Sequence, residues 1–218
     1  MSDLSPKLID HTILKPTTTA TDVRSLCQEA IDFGFASVCV PPYYVELSSK
    51  LLAKHPSIKT GTVIGFPLGY DLVTTKLAAS KSAVESGAQE IDAVVNISAV
   101  KSGDWAAVEK EIDTLSTFAH LKGVVLKLIF ETAYLNQDEI QKLCAFCVQY
   151  EVDFAKTSTG FSESGANLNT VQFMLECLHG KVRVKASGGI ATMEQAQAYA
   201  ALGVHRIGTS KAKSWFST

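Results

Sequence analysis

Three lysines and two aspartates sit where a sequence rarely puts charge. Lys127 lies in "VLKLIF", Lys156 in "DFAKTS" and Lys185 in "RVKAS", while Asp10 lies in "LIDHT" and Asp92 in "EIDAVVN". Each segment is otherwise apolar and the length of a strand. A charge placed there loses its water, which is costly unless it is paired. One such lysine would be read as paired or as snorkelling to a rim. Five such groups point to chemistry, because buried ion pairs stabilise weakly and stability is a poor reason to keep several.

The chemistry open to a buried lysine is addition of its free amine to a carbonyl. An ordinary lysine titrates near ~10.4, so under ~0.1% of it is neutral at pH 7. Two ammonium groups about 6 Å apart at an effective dielectric near 20 repel by roughly 3 kcal/mol, and desolvation acts in the same direction. Lys156 and Lys185 fall on consecutive strand-like segments. Either could be the nucleophile, and their spacing does not separate them. Asp92 would favour charged lysines and could relay protons. Side chains alternate along a strand, so Asp92, Val94 and Asn96 share one face, as do Lys127, Ile129 and Glu131, and Phe154, Lys156 and Ser158.

The elements that must position these groups alternate in period. Eight apolar runs have strand length: "KLIDHTIL", "ASVCV", "TGTVIGF", "EIDAVVNI", "GVVLKLIF", "VDFAKTS", "KVRVKAS" and "VHRIGTS". Between them the spacing turns helical. Val23, Leu26, Cys27, Ala30 and Ile31 form a stripe that ends at Gly34. Trp105, Val108, Ile112 and Leu115 follow Asp104 as N-cap, and Asn136 with Glu139 and Thr192 with Gln195 resemble capping boxes. Leu77, Ala78 and Val84 stop at Gly87, and Val171, Met174, Leu175 and Leu178 stop at Gly180. Tyr43 to Lys54 carries a weaker pattern, and Ser210 to Phe216 holds a short helix. Eight strand–helix units predict an α/β fold, a (β/α)8 TIM barrel, as a single domain over residues 1–218. No G-x-G-x-x-G turn supports a doubly wound sheet instead. The charged groups would then meet near the C-terminal mouth.

Composition narrows the class. With 46% hydrophobic and 19% charged residues in 218, a large core is expected. A net charge of -2 without a basic run argues against nucleic acid. The apolar runs are too short to span a bilayer. The opening "MSDLSPKLIDH" has no signal core, so a cytoplasmic location is expected. Cys27, Cys39, Cys144, Cys147 and Cys177 are odd in number and scattered, which speaks against a disulfide framework. Cys144 and Cys147 form a lone C-x-x-C read as core cysteines on a helix, and neither a metal nor a cofactor is expected.

Two glycine signals suggest an anion. "ASGGIAT" follows Lys185, with Gly188 and Gly189 before a helix, and "GTSKAK" follows the last strand, with Gly208 and Ser210. Loops after strands seven and eight are the usual phosphate seat of this fold. "GFPLG", Gly65 to Gly69, is read as scaffolding or contact surface at the mouth.

Taken together, "DHTILKP", "SVCVPP", "VIGFPLG", "EIDAVVNI", "DFAKTSTGF", "VKASGGI" and "RIGTS" resemble, in order, the deoxyribose-phosphate aldolase family over nearly the whole chain. The pairing of "KTSTG" with "KASGG" is the most specific part. The resemblance implies a metal-free class I aldolase that cleaves 2-deoxy-D-ribose 5-phosphate to D-glyceraldehyde 3-phosphate and acetaldehyde. By motif, Lys156 resembles the Schiff-base lysine. Lys185 resembles the lysine that depresses its pKa and shares the proton relay, and Asp92 resembles the proton shuttle. Lys127 corresponds to a lysine that contacts substrate or positions Asp92, and Asp10 and Thr12 to lining residues. Thr159, Gly160, Gly188, Gly189, Gly208 and Ser210 match the phosphate side. Cys39 matches a cysteine near the mouth, though a packed strand cysteine is the favoured reading. Two positions depart from the pattern: Ala191 stands where family members often carry arginine, and Lys211 follows Ser210, which implies either an exchange of the phosphate's cation or a weaker selectivity for phosphate. The implied partners are small phosphosugars and aldehydes, with a homodimer left open. The alternatives are another Schiff-base barrel lyase, transaldolase-like, or a phosphosugar-binding barrel without turnover.

Overall fold

The computed structural model describes residues 4–217. The start of the N-terminal stretch considered for export, residues 1–3, and the last residue of the expected domain lie outside the described residues. Eight parallel strands close into a barrel in sequence order. The order is β1 (Ile9–Thr12), α1 (Ala20–Phe33), β2 (Ser37–Val40), α2 (Val45–Leu52), β3 (Lys59–Ile64), α3 (Val73–Glu85), β4 (Glu90–Val94), α4 (Ile97–Lys101), α5 (Trp105–Lys122), β5 (Val125–Ile129), α6 (Gln137–Gln149), β6 (Phe154–Lys156), α7 (Leu168–Leu178), β7 (Arg183–Ser187), α8 (Met193–Ala201), β8 (Arg206–Thr209) and α9 (Ala212–Phe216). This is the (β/α)8 barrel expected from the alternating pattern, with every expected strand present but shorter than its apolar run.

The helices form where the local chemistry specifies ends. Thr19 and Asp22 close a capping box at α1, and Gly34 ends the helix in the left-handed region. Asn136 with Glu139 and Thr192 with Gln195 make the two expected boxes. Asp104 caps α5 through the Ala107 amide. Helix α7 ends one residue earlier than expected: His179 takes the left-handed conformation, and Gly180 continues the turn. The short α4 is not apparent in the pattern because Asn96 caps it directly after β4.

The apolar core lies between barrel and helices. Val38, Val40, Ile91, Ala93, Leu126, Leu128, Val184 and Ala186 point outward from the strands onto buried helix residues such as Val23, Leu26, Ile112, Leu115, Leu143 and Val171. Burying one such aliphatic side chain contributes about 1.5–3 kcal/mol. Since these odd-numbered or even-numbered partners face the helices, the alternate residues of each strand fill the barrel. That alternation sends Asp10, Asp92, Lys127, Lys156 and Lys185 inward.

Register then decides which of them meet. Asp92 pairs with Lys127, and Lys127 with Phe154, across β4, β5 and β6. Lys156 pairs with Lys185, and Lys185 with Arg206, across β6, β7 and β8. Three cations thus stand side by side on adjacent strands.

Candidate active site

The inward charges form one continuous ion network. Asp92 Oδ2 accepts from Lys156 Nζ and Lys185 Nζ at 2.8 Å each, and its Oδ1 accepts from Lys127 Nζ at 3.0 Å. Lys185 also meets Asp10 Oδ2 at 2.6 Å. Lys127 meets Glu90 at 2.5 Å and Asp10 at 3.4 Å. Arg206 closes the network from below, 2.8 Å from Asp10 Oδ1 and 3.5 Å from Glu90 Oε1. Ser37 Oγ donates to the same Asp10 oxygen at 2.7 Å. The balance is therefore four cations to three carboxylates, rather than the three lysines and two aspartates legible in the strands.

Electrostatics differentiate the lysines. Burial pushes the Lys156 pKa below its ordinary value; Asp92 opposes this and Lys185 adds to it. Burial leads this shift, ahead of the repulsion from Lys185 expected from the strand order. Burial also works against the Lys185 and Lys127 charges, but in both cases the carboxylates outweigh it and hold the pKa above the ordinary value. For Asp92, burial is outweighed by Lys127, Lys156 and Lys185, which keep it ionised well below the usual carboxylate range. Asp10 is lowered in the same way, against burial, by Lys127, Lys185 and Arg206.

Above the network lies a cavity of about 360 Å³ at the C-terminal mouth. Its wall includes Lys156, Thr12, Thr159, Gly160, Gly188, Gly189, Gly208, Ser210, Lys211 and Ala191. Asp10 and Lys127, both expected among the substrate contacts, are absent from this wall. Their charged atoms are engaged in ion pairs underneath it. Asp92 and Lys185 also lie below, so Lys156 is the member of the network that opens on the cavity. Gly188 and Gly189 both have positive φ, 86° and 75°, a conformation that turns successive amides toward one side and suits an anion. Gly208 has a different purpose from the loop glycines: a Cβ there would come within 2.9 Å of Ser187 Cβ and 3.0 Å of Lys185 Cε. Its missing side chain is the space Lys185 occupies.

Several residues with a bearing on the site were not singled out from sequence. Glu131, at φ 55°, accepts from the Thr159 amide and hydroxyl and from Ser162 Oγ at 3.1 Å, bracing the loop after β6. Lys15 joins Lys211 on the cavity wall as a second exposed cation. Outside the barrel, Lys76 donates to Val94 O at 2.7 Å and pairs with Glu111 at 2.8 Å, and Glu111 accepts from the Asn96 amide at 3.0 Å. That buried pair ties α3 and α5 to the end of the strand carrying Asp92. The "GFPLG" segment packs at the mouth, with Phe66 edge-on to Phe161 at 5.1 Å. Cys39 is buried off the cavity wall, and burial with the Asp92 charge pushes its thiol up to about 11. Cys144 and Cys147 are buried on α6, as a core placement requires.

A closed parallel barrel that keeps one depressed lysine at its mouth, beside loop glycines of positive φ, has the make-up of an imine-forming barrel enzyme. Comparison with known proteins narrows this. Residues 4–209 match the model of the DeoC/LacD family aldolases. The deoxyribose-phosphate aldolase of Thermococcus gammatolerans is 45% identical over 205 residues, covering 94% of this chain and 91% of the relative. The enzyme of that name from Clostridioides difficile is 45% identical over 204 residues, with the same coverage. Among solved structures, a tetrameric deoxyribose phosphate aldolase from Aeropyrum pernix superposes with a TM-score of 0.88 at 33% identity, covering 97% of this chain and 90% of its own. The chain belongs to the DeoC/LacD aldolase family.

Proposed function

We propose that this protein is a class I aldolase that reversibly cleaves 2-deoxy-D-ribose 5-phosphate to D-glyceraldehyde 3-phosphate and acetaldehyde. The observation that carries the reading is Lys156: it is buried, its pKa is lowered, it lies on the cavity wall, and it shares one carboxylate oxygen with Lys185. The names of the Thermococcus and Clostridioides relatives support the substrate.

In this reading neutral Lys156 attacks C1 of the open-chain sugar. The carbinolamine loses water to give an iminium, with Asp92 and Lys185 moving protons. A base acting through water removes the C3 hydroxyl proton, the C2–C3 bond breaks, and its electron pair enters the iminium to form an enamine. Glyceraldehyde 3-phosphate leaves. The enamine is protonated and hydrolysis frees acetaldehyde and the amine. Lys127 and Asp10 hold Asp92 and Lys185 in place from beneath. Thr12 and Thr159 border the sugar, and Gly160, Gly188, Gly189, Gly208 and Ser210 border the phosphate, with Lys211 and Lys15 as its cations. No cofactor or metal takes part in the scheme. The five free thiols suit a reducing cytoplasm. Self-association, as a homodimer or the tetramer described for the Aeropyrum relative, belongs to this reading, and light scattering would measure it.

The test is release of acetaldehyde from 2-deoxyribose 5-phosphate together with borohydride trapping and peptide mapping. The reading predicts turnover and a reduced adduct on Lys156. Absence of turnover, or an adduct elsewhere, contradicts it.

A further inference from the structure

Arg206 belongs to the "RIGTS" segment, yet it touches neither the cavity wall nor Lys156. Its guanidinium reaches Asp10 from β1 and Glu90 from β4, and its carbon lies 5.7 Å from the centre of the Phe154 ring on β6. Lys185 is its register neighbour on β7. It is thus the fourth cation of the network and the one furthest from the mouth.

With every group ionised, Lys127, Lys156, Lys185 and Arg206 face Asp10, Glu90 and Asp92, one positive charge in excess. Excess charge is expensive in a site this dry. Removing one proton balances the set, and Lys156 is the member open to the cavity. The groups facing it are Asp92 on β4, Lys185 on β7 and Cys39 on β2, with Lys127 on β5 acting through Asp92. Glu131 is also buried, but it bonds to Thr159 and Ser162 and joins no ion pair of the network.

We propose that Arg206 is a positioning residue: by engaging Asp10 and Glu90 it supplies the excess positive charge that makes a neutral Lys156 the balanced state of the network. The local bonding acts in the same direction. Arg206 takes up one oxygen of Asp10, so Lys185 shares Asp92 rather than resting on Asp10 alone. Asp92, divided among three lysines, holds Lys156 less firmly. Without Arg206, Asp10 would draw Lys185 and leave Asp92 to Lys156. Without Glu90, Lys127 would lean harder on Asp92 and loosen its hold on Lys156.

The inference rests on the proposed Schiff-base role of Lys156, and the experiment separates the two. Cleavage of 2-deoxyribose 5-phosphate (kcat/KM) and borohydride trapping with acetaldehyde are measured from pH 5.5 to 9.5 for the wild type, R206M, R206K and E90Q. For R206M the acid limb should move up by about one pH unit, about a tenfold loss at pH 6 with recovery toward the alkaline plateau. R206K should follow the wild type, and E90Q should move the limb down. Opposite movement for R206M and E90Q cannot come from general structural damage. If R206M does not fold, E90Q decides: an unmoved or raised limb overturns the inference. A loss for R206M that is uniform at all pH values overturns it too. No adduct at Lys156 in the wild type rejects the proposed function itself, whereas an adduct there with unmoved limbs rejects only the role of Arg206.

Discussion

Lys156 and Lys185 donate to the same oxygen of Asp92, each at 2.8 Å, from neighbouring positions on adjacent strands. The shared oxygen makes the two ammonium groups competitors. Among the described residues Lys185 has a second carboxylate in Asp10, and Lys156 does not. The proton is therefore held more firmly on Lys185, and Lys156 is the weaker base of the pair.

Replacing Lys185 by methionine should remove the competing charge and let Asp92 hold the Lys156 ammonium. Activity at neutral pH should fall by about 10²-fold, with partial recovery as pH rises. A pH–rate profile of K185M checks this, and a loss equal at pH 6 and pH 9 would contradict it.

Lys156→Ala should lose at least about 10³-fold in kcat while keeping its fold, since it deletes the amine together with the network's one excess positive charge. Circular dichroism and a turnover assay on the same sample separate the two effects.

Asp92→Asn should be costly for stability as well as activity. It leaves Lys127, Lys156 and Lys185 facing a neutral group, and removing one partner of a buried pair costs about 3–5 kcal/mol. The linkage has a definite sign. Asp92 and Asp10 titrate lower folded than unfolded, so their stabilisation is complete above the unfolded value near ~3.9 and is lost as pH falls from there toward the folded values. Urea unfolding between pH 6 and pH 3 should show a steeper loss in the wild type than in D92N. Parallel curves would contradict the assignment.

How much of this could be seen in the sequence follows from where each residue sits. The inward lysines and aspartates stand out because they interrupt strands buried on both faces. Arg206 and Glu90 are the first residues of β8 and β4, where a charge looks like an ordinary strand end, so the true balance of the network was hidden. Lys76 and Glu111 look like solvent-facing helix charges. Only packing of α3 and α5 against the end of β4 buries them, at 1% and 2% exposure. The height of Lys127 and Asp10, which lie under the cavity wall with Lys127 bonded to Asp92, could not be read from the sequence, because barrel stagger, which sets height, has no local signature.

Gly208→Ala tests that geometry with a single methyl group. The added carbon would meet Ser187 Cβ at 2.9 Å and the Lys185 side chain at 3.0 Å. Lys185 should shift away from Asp92, and the acid limb of the pH profile should rise as in K185M. A wild-type profile would show that the space is dispensable.

At the phosphate end, Lys15 and Lys211 are the exposed cations of the cavity wall, and Ala191 contributes no charge. Lys211→Ala should raise KM for 2-deoxyribose 5-phosphate by about tenfold with kcat little changed, and Lys15→Ala should act in the same sense. Neither should alter KM for unphosphorylated 2-deoxyribose. Equal effects on both sugars would remove these lysines from the phosphate site.

The central claim concerns one amine, and its titration is the most direct measurement. In protein carrying lysine labelled with 15N at Nζ, the Lys156 resonance can be identified by its loss in K156A and followed with pH. The account predicts a midpoint below the ordinary lysine value near ~10.4, with Lys185 still protonated where Lys156 has lost its proton. A Lys156 that titrates at or above that value, or a Lys185 that deprotonates first, would contradict it.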